Sequence, residues 1–300
     1  AADAAAAGRE RLMVSSLATV LLAQHPVEAE APWRAWREGV VLDALEWSEI
    51  QLLPLLPQAQ LEGWLGDDPA AGRLLGLVRR AWSEAQLQLH QLRGVVGELQ
   101  SAGVGPLMIA GEAALHSRLA ETGRIRPIGE LQLLLPREQI YAADQRLRQL
   151  HWRPATPSPP PKALNWVDQW LWSRPGQSLR LLWRPTRVVP WRAREYEEEL
   201  WSRPEPVLPA AHLLVARLAE GARSQGSIPW QMDAALLPLS EAEWAAAAGF
   251  AARYAPAAFA RIQARRGGGA EPGSVRRSRI EHTMHRGMVL LRARLLNSLR

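Results

Sequence analysis

The chain is 300 residues long, 47% of its residues are hydrophobic, and it contains no cysteine. This length allows one large or two medium domains with a buried core. The lack of cysteine excludes disulfides, thiol catalysis and cysteine-based metal sites. No run of about 18 apolar residues is present, so we expect no transmembrane segment. The first ten residues, AADAAAAGRE, lack the basic start of a signal peptide, and we expect a cytoplasmic protein.

The formal net charge of +6 is unevenly distributed along the chain. Residues 265–300 hold nine arginines against two glutamates, a balance of +7. The other 264 residues hold 27 lysine or arginine residues against 28 acidic ones, a balance of −1. The basic character therefore belongs to the C-terminal tail and says little about the body of the protein.

Residues 1–101 are predicted to form an N-terminal helical region. The segment RLMVSSLATVLLAQ and the long run from residue 70 to residue 103 carry apolar residues at helical spacing. Pro54 and Pro57 divide the region into shorter helices, because proline removes a backbone donor. Gly103 and Gly105 are predicted to end the last helix.

Residues 102–190 alternate short strands with helices. Strands are expected over PLMIA (106–110), ELQLLL (130–135) and SLRLLWR (178–184), and helices over residues 111–123 and 136–150. The segment HWRPATPSPPPK (151–162) is interpreted as a proline-rich connector. The predicted fold class is therefore α+β, with a small mixed β-sheet between N- and C-terminal helical regions.

Residues 191–264 are predicted to form the C-terminal helical region. Ser240 and Glu243 have the spacing of a capping box. The segment EYEEEL (195–200) is interpreted as a solvated helical face, and His212 as a satisfied structural histidine. Residues 265–300 are predicted to form a glycine-rich linker and a basic helix. For that helix, docking on the body and binding of nucleic acid or an acidic partner through residues 276–300 both stay open.

The chain contains 14 tryptophans and only 2 phenylalanines. We expect tryptophan to provide the core packing that phenylalanine provides elsewhere. The alternative is a stacking surface for nucleic-acid bases.

Glu130 and Gln132 form a polar pair on the second predicted strand. Successive side chains of a strand alternate between its faces, so this pair shares one face and the neighbouring leucines share the other. The same alternation places Arg180 on the polar face of the third predicted strand. In many phosphoryl-transfer proteins, two aspartates with this spacing hold magnesium, but here the second residue is a neutral amide.

The segment LMIAGEAALHSRLAETGRIRPIGELQLLLPREQIYAADQRLRQLHW (107–152) resembles a bacterial family of uncharacterised nucleotidyltransferases related to the DNA polymerase β fold. In that family, a strand ending in Leu-Lys-Gly leads into a helix, Arg-Pro precedes an Asp-x-Asp strand, and the next helix ends in Gly-Trp. The corresponding elements here are MIAG, the helix 112–122, RPIGELQLLL and LHW. SLRLLWRP resembles the third strand of the family, and the helices around His212 and Asp233 resemble its C-terminal helices. The resemblance covers residues 50–260 and implies a sheet of nucleotidyltransferase type.

The departures from the family pattern concern the residues that carry the chemistry. The lysine of Leu-Lys-Gly is replaced by Ala110, and the two aspartates are replaced by Glu130 and Gln132. The third acidic position falls at Arg180. Magnesium needs hard, anionic oxygens in octahedral geometry, and this set of side chains does not supply them. We therefore expect no bound metal and no cofactor.

Gly111 and Arg126 keep the residues of the family and are the nucleotide-binding positions that the resemblance implies. Together with the missing carboxylates, they predict a degenerate nucleotidyltransferase-like protein that binds a nucleotide or a partner without turnover. One alternative is an active enzyme that transfers a nucleoside monophosphate to a protein, RNA or small molecule and requires Mg²⁺. The other is a nucleic-acid-binding adaptor that acts through the basic C-terminal helix.

We also predict an ion pair between Glu130 and Arg180 at the position that the metal would occupy. A lone glutamate in a partly desolvated cleft is unfavourable in its charged form. An arginine on the neighbouring strand would neutralise it without any ion. This prediction depends on the second and third strands being neighbours.

Overall fold

The computed structural model describes residues 17–262, apart from residues 24, 46, 189–191, 222–227, 257 and 261. The predicted linker and basic helix at residues 265–300 lie outside the described residues, so docking on the body and binding of nucleic acid or an acidic partner both stay open. The architecture is mixed α+β, as predicted, with one five-stranded sheet and with helices before, between and after its strands.

The N-terminal part of the described chain is helical, as predicted. It contains α1 (residues 17–22), α2 (Pro26–Gly39), α3 (Trp47–Leu52), α4 (Gln58–Leu65) and α5 (Ala71–Ser101). Pro57 precedes α4 directly, and Gly103 follows α5 with φ = +77°, which glycine adopts at little cost. The apolar faces of these helices share one core. Within the described residues, no helix combines the length and the apolar character needed to cross a membrane.

The sheet contains β1 (Met108–Ile109), β2 (Leu131–Leu134), β3 (Arg153–Pro154), β4 (Gln169–Arg174) and β5 (Gln177–Leu182). Its strand order is β1-β2-β5-β4-β3. β2 and β5 are parallel, and the other neighbouring pairs are antiparallel. The three predicted strands are therefore confirmed as β1, β2 and β5, and the second and third of them are neighbours.

Two strands lie where none is predicted. β4 buries Trp170 and Trp172 and leaves Gln169 and Leu171 exposed, so it follows the period-2 pattern of a strand. The exposed Leu171 weakens the contrast between the two faces. β3 lies inside the segment interpreted as a connector, and it is only two residues long. Its Pro154 fits a position at the edge of the sheet, because an edge strand can lack one ladder donor.

The two predicted helices of the central region are α6 (Gly111–Ala120) and α7 (Ile140–Gln149). Both are shorter than predicted, and a 3-10 turn occupies residues 137–139 before α7. One face of the sheet packs on α5 and α7 through the leucines of β2 and β5, which are fully buried. The opposite face carries the polar residues of the candidate site.

The C-terminal part consists of α8 (Ala193–Trp201), α9 (Ala210–Gly221), α10 (Ile228–Leu236) and α11 (Glu241–Tyr254). The predicted capping box is confirmed at α11: Ser240 Oγ accepts from Glu243 N–H at 3.3 Å, and Glu243 accepts from Ser240 N–H at 2.8 Å. These helices form a core with Met108, Leu134 and Leu182 of the sheet. The C-terminal helices therefore cover the sheet at the ends of β2 and β5 that carry Leu134 and Leu182, beside the polar residues.

Tryptophan provides core packing in all three parts of the protein. Trp82 and Trp166 are about half exposed, with 51% and 46% of their surface accessible. The packing prediction is confirmed for the buried tryptophans, which are Trp33, Trp36, Trp152, Trp170, Trp172, Trp183 and Trp230.

Candidate functional site

The polar face of the sheet is formed where β2 and β5 run side by side. Their parallel register sets Gln132 opposite Arg180, and Glu130 directly precedes β2. All three side chains are half-buried. The structure therefore brings together the three predicted site residues on one face of the sheet.

Glu130 and Arg180 form the predicted ion pair. Arg180 Nη2 donates a hydrogen bond to Glu130 Oε1 at 2.9 Å, and Arg180 Nε lies 2.7 Å from Glu130 Oε2. The Nε contact lacks the geometry of a hydrogen bond, so it contributes mainly by charge. The Arg180 side chain is 30% exposed and the Glu130 side chain is 21% exposed, which reduces the screening that weakens surface ion pairs.

Two amide side chains complete the polar network. Gln132 Nε2 donates to Glu130 Oε2 at 3.1 Å, and Arg180 Nη1 donates to Gln169 Oε1 at 2.9 Å. Gln169 belongs to β4 and has no role in the sequence prediction. The network runs across three adjacent strands and balances its charges internally.

Gly111 begins α6 directly beside Gln132. Its φ is +61°, in the left-handed region that favours glycine. A Cβ atom at this position would lie 2.3 Å from Gln132 Oε1. Gly111 is therefore needed both for its backbone conformation and for the close approach of Gln132. The predicted nucleotide contact of Gly111 stays a prediction, and the nearest group in the structure is the Gln132 amide.

The donor set does not fit the magnesium ion that the family resemblance implies. Both oxygens of Glu130 contact Arg180, and one of them also accepts from Gln132. Gln132 could offer only a neutral oxygen, and Arg180 would place a positive charge beside the ion.

Removing one partner of the Glu130–Arg180 pair should destabilise the protein more than removing both. Glu130→Gln and Arg180→Met are each expected to lower the free energy of unfolding by about 1–2 kcal/mol, because each leaves a half-buried charge unpaired. The double variant should lose less than either single variant. Urea unfolding of the four proteins gives the coupling energy.

The exposed pair of Glu30 and Arg34 on α2 provides the matched control cycle, since its side chains are 45% and 70% exposed. Its coupling is expected to be below about 0.5 kcal/mol. Strictly additive losses at Glu130 and Arg180 would contradict the predicted coupling.

Arg126 lies in a buried cluster behind the polar face. It is 4% exposed, and its Nε donates to Asp233 Oδ1 at 2.6 Å. Burial alone lowers the pKa of Arg126, but the charges of Asp233 and Glu112 outweigh burial and raise that pKa above its ordinary value. Arg217 also approaches Asp233, with 3.5 Å between Nε and Oδ2. Nucleotide binding by Arg126 stays a prediction, and in the structure its guanidinium is bound to carboxylates.

Glu112 connects this cluster to the polar network. One of its oxygens accepts from Arg126 Nη2 at 3.1 Å, and the other accepts from the backbone N–H of Gly129 at 2.7 Å and of Glu130 at 3.4 Å. Because Glu112 lies in the first turn of α6, the helix dipole also favours its charge. Glu112 therefore fixes the backbone that presents Glu130.

A cleft of about 240 Å³ opens beside the network, between the polar face of the sheet and α9. Two guanidinium groups, those of Arg180 and Arg217, line it. Amide groups come from Gln132 and Gln169, and the apolar part comes from Leu182, Leu208 and Leu213. Guanidinium and amide donors therefore face an apolar wall, which favours a small ligand that combines hydrogen-bond acceptors with an apolar part.

Three contributors to this site were not predicted: Glu112, Gln169 and Arg217. Glu112 follows the predicted strand-glycine-helix junction, so its place in the first helical turn was available from the sequence. Gln169 would have required the prediction of β4. Arg217 lies on α9 and reaches the cleft only through tertiary packing, for which the sequence carries no local signal.

The acidic segment at residues 195–200 is not simply a solvated face, and that prediction was wrong for one residue. Glu197 is 8% exposed and accepts from Arg184 Nη1 at 3.1 Å. Burial raises the pKa of Glu197, although Arg137 and Arg184 oppose the shift. The cause is Arg184, which is itself fully buried and draws the carboxylate inward.

His212 is largely enclosed by helix packing, in line with the structural role predicted for it. Its ring meets the ring of Phe250 edge to face, with centroids 4.3 Å apart. Burial lowers the pKa of His212 to about 4, with smaller effects from Glu199 and Arg253. Among the described residues, no hydrogen-bond partner reaches its Nδ1, so the histidine is packed but not fully satisfied.

Comparison of the chain with protein-family models and with the curated proteins finds no match. In the part of the chain that the structure describes, no three His, Cys, Asp or Glu side chains converge as a metal site would require. The function of the site therefore has to be inferred from its own geometry.

Proposed function

We propose that the protein is a nucleotidyltransferase-like protein without metal-dependent catalysis, which acts by binding a nucleotide or a partner in the cleft. One observation carries the proposal: the Glu130–Arg180 ion pair lies where the family resemblance places the metal-binding carboxylates. An arginine in that place stabilises the carboxylate, but its cationic guanidinium cannot serve as a ligand of a magnesium ion.

The order of the elements supports the fold-level part of the proposal. A short strand, a glycine, a helix and a polar strand follow one another as β1, Gly111, α6 and β2. The strand that the resemblance assigns as the third lies directly beside β2 as β5. This order is the one on which the resemblance to the nucleotidyltransferase family is based.

The donors of the cleft support the binding part. Arg180 and Arg217 both line it, and each is also paired with a carboxylate, so a ligand would share their guanidinium N–H groups with Glu130 and Asp233. Such a ligand would be held by protein donors rather than through a bridging metal ion. We therefore expect binding of a nucleotide to be insensitive to removal of magnesium.

The purified protein is expected to show no magnesium-dependent transfer of a nucleoside monophosphate from any of the four labelled NTPs. The assay measures label incorporated into protein, RNA and small molecules, with the Glu130→Ala variant as the control for site-specific chemistry. A parallel titration measures NTP binding with magnesium and with EDTA. Robust transfer that disappears in Glu130→Ala would refute the proposal and favour the active enzyme.

A further inference from the structure

The segment TPSPPPK, residues 156–162, has a sequence that restricts it to an extended conformation. A residue that precedes proline is disfavoured in the helical region, and residues 156, 158, 159 and 160 all precede a proline. Pro160 has φ = −64° and ψ = 153°, close to the values of a polyproline II helix. The backbone of Pro160 therefore agrees with a polyproline II segment that ends where the 3-10 turn of residues 161–165 begins.

One edge of this segment is fixed to the protein by two aromatic donors. Trp170 Nε1 donates to the carbonyl of Thr156 at 3.1 Å, and Tyr141 OH donates to the carbonyl of Pro159 at 2.7 Å. Thr156 and Pro159 are three residues apart, which is one turn of a polyproline II helix. These contacts hold the segment extended before any partner arrives.

The next edge carries Pro157 and Pro160, which are also one turn apart. Pro157 is exposed and Pro160 is half-buried. Pro161 and Lys162 follow and are both exposed, and Lys162 is the only lysine of the chain. Together these residues form the pattern P-x-x-P-x-K on a rigid, accessible strip.

We propose that residues 157–160, with Lys162 in the 3-10 turn that follows, are a preformed ligand for a protein domain that binds polyproline II segments in an aromatic-lined groove of the SH3 type. Such grooves bind the two prolines of a P-x-x-P segment and gain from the low entropy cost of a preformed extended chain. This surface lies on the connector between α7 and β4, so the inference does not rest on the function proposed for the cleft.

The charges around the strip indicate the chemistry of the partner groove. Lys162 lies at one end of the strip. The guanidinium of Arg148 lies 3.4 Å from Ser158 Oγ, but it is paired with Asp144, which also accepts from Ser158 Oγ, so Arg148 adds no net charge. The exposed Arg153 adds a second cation on the strand before the segment. A complementary groove therefore carries acidic side chains beside its aromatic rings, and binding should weaken as the salt concentration rises.

The test uses the full-length protein and a panel of purified SH3 domains, with binding measured by isothermal titration calorimetry and by chemical-shift changes in the labelled domain. At least one domain should bind, with shifts confined to its aromatic groove. The double variant Pro157→Ala/Pro160→Ala should weaken this binding at least about tenfold, because it removes both anchoring rings. Lys162→Glu should weaken it by a smaller factor that grows as the salt concentration falls.

Pro204→Ala provides the matched control, because Pro204 is exposed in the loop after α8 and lies outside the segment. Its affinity for the same domain should equal that of the unchanged protein. Thermal unfolding of each variant shows whether it is folded. The inference is overturned if no domain of the panel binds the unchanged protein, or if the double variant binds with undiminished affinity.

Discussion

Asp233→Asn is expected to lower the free energy of unfolding by about 3–5 kcal/mol, because it removes a buried charge that two arginines require. Asp233 is 1% exposed and lies between Arg126 and Arg217. Asparagine has nearly the same volume, so the effect should come from charge rather than from a cavity. Glu112 remains as the second carboxylate at Arg126, and it can offset part of the loss. Urea unfolding followed by circular dichroism measures the change.

Asp43→Asn is the control for this substitution. Asp43 forms an ion pair with Arg73, but its side chain is 82% exposed. The same chemical change there is expected to alter stability by less than about 0.5 kcal/mol. Similar small losses at Asp43 and Asp233 would show that the buried cluster does not depend on the carboxylate.

Arg184→Met is expected to cost about 3–5 kcal/mol of unfolding free energy. The Arg184 side chain is 1% exposed, and methionine would fill much of its volume without its donors. Its contacts are the carboxylates of Asp168 and Glu197 and the backbone carbonyls of Leu164, Asn165 and Val167. The substitution would remove the donor that these buried and half-buried acceptors share, and the chain from the 3-10 turn to β4 would lose its anchor.

The loss caused by Arg184→Met should be larger at pH 8 than at pH 5. Burial already raises the pKa of Glu197, and Arg184 opposes that rise. Without Arg184 the folded-state pKa should rise further above the unfolded value. A carboxyl group with a raised pKa contributes stability below its unfolded pKa and loses it as pH increases through the folded pKa. Urea unfolding at the two pH values tests the direction.

Arg194→Met on α8 is the control for Arg184→Met, since its side chain is 84% exposed and pairs with Glu198 one turn away. Its effect should stay below about 0.5 kcal/mol at both pH values. A loss at Arg184 that is equally small, or one that does not depend on pH, would contradict the role assigned to the buried arginine.

The parts of the fold that could be predicted are those with a strong local period. The leucines of β2 and β5 alternate with polar residues, and this alternation was sufficient to place Glu130, Gln132 and Arg180 on one face. The capping box at Ser240 is equally local, because its two side chains are three residues apart. For these features the information lies within a few residues of the chain.

The parts that could not be predicted depend on partners far away in the chain. Arg126 and Asp233 are 107 positions apart, and nothing near either residue indicates the other. Glu197 lies in an acidic run that is typical of a solvated helix, and its burial is explained by two distant cations, Arg137 and Arg184. Buried ion pairs of this kind are specified by tertiary packing, so propensity and periodicity do not reveal them.

The Glu130–Arg180 pair also limits how the protein can change over generations. Converting this site into a carboxylate cluster would require acidic residues at positions 132 and 180. Replacing Arg180 first would leave Glu130 unpaired. An acid at position 132 would place a like charge beside Glu130, where Gln132 now donates a hydrogen bond. Each single substitution is therefore expected to lower the free energy of unfolding. Only both substitutions together with a bound cation would restore the balance of charge. The loss of either partner alone is therefore opposed by the stability of the fold, whereas the loss of both together is opposed less.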